Sequence, residues 1–316
     1  MTHSIMKFKR VKIDWSNFSF TALCALAAFL ILAILALILG NVSYHGFGGL
    51  SWRFITGGTE QDLFDVGKAG IMPMIFGTAA KVIIMTFFVM PFGVVTAIYL
   101  TEYARSNAVS TRIIRGAVNN LAGVPSIVFG LFAVGFFIHF VGQNIDDLFF
   151  SQNPSPVWGK EALIWSSLTL AVMTLPVVIV ATEESLRAIP QGLREASLAL
   201  GATKLQTIFK VVIPQALPGI LTGAILAVSR AAGEVAPIMF TGATYFMATL
   251  PKSPVDQFMD LGFHVYILAT QSPNIDMTKP IAFATIIVLL LLTFALNLLA
   301  MVIRAHLRIK MRATTH

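Results

Sequence analysis

Cysteine is nearly absent: Cys24 stands alone, which excludes an intrachain disulfide and a cysteine-ligated zinc cluster. It lies in the first apolar run and reads as a small packing residue. Charge is also scarce. Only 12% of the 316 residues are charged and 56% are hydrophobic, against about 25% charged in an average soluble domain. That balance excludes a water-soluble globular fold and places the chain in a bilayer, with lipid as its surroundings. No G-x-x-x-x-G-K-[ST] loop occurs, so the chain is not itself a P-loop ATPase. H-E-x-x-H, G-x-S-x-G and paired intramembrane aspartates are missing too, which leaves an intramembrane hydrolase without its machinery. The formal charge of +7 does not point to nucleic acid, because the basic residues flank apolar runs instead of forming a patch interleaved with aromatics.

What is present is a set of long apolar runs. A helix needs roughly 20 apolar residues to cross a bilayer. Six stretches meet that length, at about 18–39, 71–100, 113–141, 163–181, 216–250 and 280–303. They predict an all-α integral membrane protein with six transmembrane helices. The second, third and fifth exceed the bilayer thickness, and breaks are expected at Pro91, Pro125 and Pro237. The first run is longer than a signal-peptide core and no cleavage site follows it, so it reads as a retained anchor. The chain divides into an N-terminal tail (1–17), a first helix with its external loop (18–70), a five-helix core (71–303) and a basic tail (304–316).

Orientation follows from the basic residues. Lys7, Lys9, Arg10 and Lys12, then Arg105, Arg112 and Arg115, then Arg187, Arg194, Lys204 and Lys210, and finally Arg304, Arg308, Lys310 and Arg312 all fall on one side. Only Arg53, Lys68, Lys160, Lys252 and Lys279 fall on the other. The positive-inside rule then puts both termini in the cytoplasm of a multi-pass protein of the bacterial inner membrane.

The longest polar stretch on the cytoplasmic side is 183–214. Pro190 and Gly192 interrupt its good helix formers, and Gly201 follows the run from Glu195 to Leu200 where a left-handed C-cap is expected. Thr203 is placed to cap the next helix. Two short helices meeting at such an elbow would present Leu198, Ala199 and Leu200 as an apolar knob for a partner, with Arg194 and Lys204 free for charge pairs at its rim. Glu195-Ala196-Ser197, three residues, Gly201, nine residues and Val211-Val212-Ile213-Pro214 resemble the coupling loop of importer permeases of the ATP-binding cassette (ABC) superfamily. In that family the loop docks on a separate ATPase, and the resemblance assigns Glu195, Ala196, Leu198 and Gly201 to that contact. It also implies the type I ABC importer permease architecture.

Arg230 and Glu234 stand four apart in the fifth run, where a charge at the centre of a span costs about 2.5–3.5 kcal/mol. Two readings account for them: a mutual ion pair that staples the bundle, or an anion site in which the guanidinium fork meets a tetrahedral oxyanion. Thr222, Ser229 and Thr241 carry hydroxyls nearby. Lys81, in the second run, is expected to snorkel to the external interface or to pair with an acid there. His139 reads as a hydrogen-bonded packing residue.

The segment from Arg230 to Thr241 resembles the R-x-A-G-E-T-A-P-L-L-F-T stretch of the PstA family of phosphate permease subunits. Ala97 to Tyr103, Val124 to Phe132, which includes Ser126, and Leu217 to Gly223 agree with the same family. The resemblance implies phosphate as substrate, Arg230, Glu234, Thr241 and Ser126 as residues that bind it, and four partner chains. These are a PstC-like second permease, two copies of a PstB-like ATPase that bind ATP and Mg, and a periplasmic PstS-like phosphate-binding protein. No cofactor is implied for this chain itself. Two positions depart from the pattern: Val235 stands for a Thr, and Val180 for an Arg. The second departure keeps molybdate, tungstate or sulfate open as substrates. A signalling subunit that reports transport status is a further alternative.

Overall fold

The computed structural model describes residues 15–58, 69–105, 107–247 and 249–313, with side chains described from 18 to 307 within these. The described residues form an all-helical fold, with a single isolated bridge between Ala243 and Phe258 and no strand. Six helices are long and apolar enough to cross a membrane: Phe18–Gly49, Met72–Tyr103, Ser126–Phe149, Leu163–Arg187, Lys204–Gly233 and Ile275–Leu307. Their number agrees with the sequence. Their bounds do not in three places, and each difference has a local cause.

In the second span Pro73 occupies the first turn, where its missing N–H costs nothing. The break expected at Pro91 is absent, and the helix runs on to Ile98. Val89 and Gly93 are buried on either side of the proline, and Gly93 lies directly against Val178 of the fourth span, so packing keeps the helix continuous through it. The departure from α geometry comes later, as a π-turn over Tyr99–Tyr103. The third run is two elements. Val109–Ala122 carries Arg112, Arg115, Asn119 and Asn120 and is amphipathic, Gly123 to Pro125 interrupt it, and the span proper begins at Ser126.

The fifth run differs most. Its helix ends at Gly233, and Glu234 is extended with φ −79° and ψ 128°. From there the chain runs through Pro237, a short 3-10 turn at Ile238–Phe240, and an irregular segment to Asp260. Non-helical backbone at this depth must be satisfied by protein. Here it is: Ala162 N–H donates to Thr241 O at 2.9 Å, Leu163 N–H to Asp256 O at 2.8 Å, and Thr244 and Phe258 exchange N–H bonds with Phe258 O and Gly242 O. The helix stops four residues before Pro237, where the expected break falls, and the segment beyond is a wedge packed against the fourth span.

The fourth span is the axis of the bundle. Two thirds of its apolar window (67%) is buried, against 0% for the first span, so the second and fifth wrap the fourth while the first lies on the outside. Gly223 of the fifth span sits against Ala181 and Val178, the small-residue contact that lets membrane helices approach without a hydrophobic drive. The first span leans on the sixth, where the His45 and Phe283 rings stack at 5.3 Å.

Candidate functional site

Two sites take shape at opposite ends of the fifth span. At the end where the helix stops, Arg230 lies in its last turn, where a cation meets the carbonyl end of the helix dipole. Its Nε approaches Glu234 Oε1 at 3.3 Å although the helix ends between the two residues. The charges therefore sit beside a helix end and not at the centre of the span, as their place in the apolar run suggested. The Arg230 side chain is 45% exposed and that of Glu234 20%, so the pair borders open space instead of filling a core.

Directly behind them is a buried junction. Lys81 is fully buried and pairs with Asp260 Oδ2 at 2.6 Å, while its Nζ also donates to the Glu234 carbonyl at 3.3 Å. Snorkelling is thereby replaced by pairing with an acid: a fully enclosed ammonium needs a carboxylate more than its stem needs the interface. Asp260 Oδ2 also accepts from Thr78 Oγ1 at 2.8 Å, and Oδ1 accepts from Phe263 N–H at 3.1 Å, capping the helix Leu261–Thr270. Gly77 makes this possible, since a Cβ there would lie 2.0 Å from Met259 O.

Thr241 does not face open space as a free donor. It is buried, bonded to Ser166 Oγ at 2.9 Å and to Pro237 O at 3.0 Å, and so fixes the wedge to the fourth span. Thr222 bonds its own helix at Pro218 O. Ser126 is half-buried in the first turn of the third span, and Gly130, four residues on, touches Pro237; no hydrogen bond joins Ser126 to Arg230 or Glu234. Val180 is exposed on the fourth span. His139 is bonded to Gln143 at 3.0 Å, and Cys24 is exposed on the first span, not packed.

At the other end, the loop forms an elbow of Gln191–Ala199 and a turn of helix from Lys204. Gly201 has φ +86°, with its N–H on Leu198 O, and Thr203 and Gln206 form a reciprocal capping box. Glu195, Ala196, Leu198 and Leu200 face outward, Leu200 at 90% exposure. Arg194 and Lys204 are not free at the rim. Arg194 donates to Glu102 Oε1 at 2.9 Å and to the Leu186 and Ile189 carbonyls, while Lys204 bonds Glu102 O and lies 4.8 Å over the Tyr103 ring. The elbow's backbone carbonyls and the π-turn draw these cations inward. Nearby, Glu183 Oε2 takes Arg115 at 3.0 Å and Arg187 at 3.4 Å.

Residues 90–312 match the family described as "Binding-protein-dependent transport system inner membrane component". This chain is a permease of that family. Among curated proteins the permease is similar to "Probable ABC transporter permease protein YqgI" of Bacillus subtilis, 36% identical over 70% of this chain and 68% of that one. It is similar to "Phosphate transport system permease protein PstA" of Yersinia pestis, 31% identical over 85% and 83%. It also resembles "Phosphate transport system permease protein PstA 1" of Mycobacterium tuberculosis (strain ATCC 25618 / H37Rv), 38% identical over 54% and 49%. Among solved structures it shares its fold with the MetNI methionine ABC transporter (TM-score 0.55, 20% identity, 74% of this chain and 94% of that one). A bacterial alginate ABC transporter shares it too (TM-score 0.62, 14% identity, 92% and 96%). The fold is thus that of a type I ABC importer permease, a multi-pass membrane subunit. A permease of this family is not an enzyme; it works with an ATP-binding subunit that hydrolyses ATP and with a substrate-binding protein.

The wedge residue Asp260 and its link to Lys81 escaped the sequence reading. An intramembrane Lys demands an acid, but nine acids fall in the external stretches and nothing in their spacing selects Asp260. The one local signal is its position before an apolar run, where an Asp caps a helix.

Proposed function

We propose that this permease imports inorganic phosphate across the bacterial inner membrane, with Arg230 as the group that meets the anion. The observation that carries the reading is the Arg230–Glu234 pair. The pair approaches to 3.3 Å at its nearest, through Nε, and no hydrogen bond engages the guanidinium among the described residues, on a half-exposed side chain at a helix end. Two donors in a fixed fork match two oxygens of a phosphate. Glu234 neutralises Arg230 while the site is vacant, and its carboxylate gives way when a dianion arrives, because two anions compete for one cation. The PstA relatives and the Arg230 to Thr241 segment support phosphate in particular.

In this reading both termini and the loop 183–214 are cytoplasmic. Glu195, Ala196, Leu198 and Gly201 dock on a PstB-like ATPase, present in two copies, that binds ATP and Mg. A PstC-like chain forms the other half of the pathway, and a PstS-like protein delivers phosphate from outside. Ser126 shapes the pathway wall beside the wedge, and Thr241 acts on the anion only indirectly, by fixing the wedge. Val180, where relatives are expected to carry an Arg, favours a second reading in which the oxyanion is molybdate, tungstate or sulfate. Uptake of radiolabelled phosphate into cells lacking this chain, with and without its restoration, separates the two. Restored uptake resistant to the three competitors supports phosphate; restored uptake of a competitor alone assigns that anion instead.

A further inference from the structure

We infer that Lys81 is a positioning residue for the anion site: through its bond to the Glu234 carbonyl it sets where Arg230 and Glu234 stand. This rests on the reading of Arg230 given above. The four charges form two pairs, Lys81 with Asp260 and Arg230 with Glu234, and the Lys81 Nζ to Glu234 O bond at 3.3 Å joins them.

The joint lies at a sensitive place. Glu234 is the first residue beyond the fifth helix, so its peptide has left the helical ladder on the carbonyl side. Its N–H makes only a long 3.4 Å bond back to Ala231 O. The ammonium of Lys81 therefore supplies the side-chain anchor that holds the Glu234 backbone in place at the helix end, and a shift of that backbone would carry Cα and the Glu234 carboxylate away from Arg230. The anchor is itself rigid. Asp260 holds Lys81 from one side, is held by Thr78 at 2.8 Å, and caps Leu261–Thr270 through Phe263 N–H. Thr78 Oγ1 in turn accepts from Leu261 N–H at 3.0 Å. The second span thus reports its position to the anion site through one long side chain.

A purely structural pair would act on assembly, whereas a positioning residue acts on transport per assembled complex. Phosphate uptake is measured in cells carrying the rest of the importer and divided by the amount of permease that co-purifies with its ATPase. Lys81→Met with Asp260→Asn neutralises both partners, so no buried charge is left unpaired, yet the Glu234 carbonyl loses its donor. Its uptake per complex is expected to fall at least about ten-fold, in line with the sensitivity of reacting geometry to small displacements. Lys81→Arg keeps both donors and should retain most of the uptake. Thr78→Val loosens the same junction without removing that donor, and should lower uptake per complex far less than the double variant does. If the double variant does not assemble, Lys81→Gln with Asp260→Asn replaces it, its side chain ending one atom short of the carbonyl. Wild-type uptake per complex in the double variant, or an equal loss in Thr78→Val, overturns the inference. Arg230→Gln is run beside them: full uptake in that variant defeats the anion-site reading itself, while a dead Arg230→Gln with an unaffected double variant defeats only the role of Lys81.

Discussion

Replacing Gly201 separates the elbow's geometry from its contacts. At φ +86° the residue occupies the left-handed region, which costs a side-chain-bearing residue roughly 1–2 kcal/mol. A Cβ at this position would meet nothing within 4 Å, so steric collision inside the chain adds nothing and the whole penalty is conformational. Gly201→Ala should therefore shift the elbow's equilibrium about 5- to 30-fold away from the observed shape. A β-branched Val belongs at the upper end, because its side chain crowds the backbone most. The bonds at stake are Gly201 N–H to Leu198 O and Ala202 N–H to Ser197 O, which set the angle at which Leu198 and Leu200 protrude. Membrane insertion involves none of these, so the variant should accumulate normally. ATPase retention on the purified permease, followed by phosphate-stimulated ATP hydrolysis in reconstituted vesicles, reads the effect. The expected order is wild type, then Ala, then Val. Equal retention and coupling in Val and wild type would refute the reasoning.

Three further outcomes follow from the described contacts. Arg194→Ala removes charge-assisted bonds to Glu102 and two carbonyls, and should destabilise the complex by about 2 kcal/mol in a thermal unfolding series. Asp260→Ala leaves Lys81 buried and unpaired, at a cost of about 3–5 kcal/mol, and should sharply lower the chain's abundance in membranes by immunoblot. His264, in the short helix Leu261–Thr270 outside the six spans, is buried with its Nε2 unpartnered, and burial lowers its pKa from 6.5 to about 4. A depressed histidine pKa means that the unfolded chain binds the proton first, so its contribution is present above pH 6.5 and is lost as pH falls toward about 4. His264→Gln should flatten the melting temperature between those limits, and an unchanged pH profile would contradict that assignment.

The number of spans was legible because a bilayer demands about 20 apolar residues per crossing, and composition alone meets that demand. The elbow was legible for a different reason: Gly201 and Thr203 are local capping signals that depend on few distant contacts. The break in the fifth run was legible: Pro237 predicts it, and the helix ends at Gly233, four residues back, where the proline can neither bond nor clear the helix carbonyl. What was not legible is the path beyond, a wedge bonded to Ala162, Leu163 and Ser166, some 75 residues away in sequence. Pro91 shows the converse, a breaker overruled by packing on Val178. The same dependence on tertiary partners hid Asp260 behind Lys81, and turned Arg194 and Lys204 inward onto Glu102.

The central claim is that Arg230 meets the transported anion. It is tested most directly by phosphate uptake in cells expressing Arg230→Gln with the rest of the importer intact, with assembly verified by co-purification of the ATPase. The account predicts an assembled complex whose phosphate uptake is lost. Full phosphate uptake through an assembled Arg230→Gln complex would contradict it.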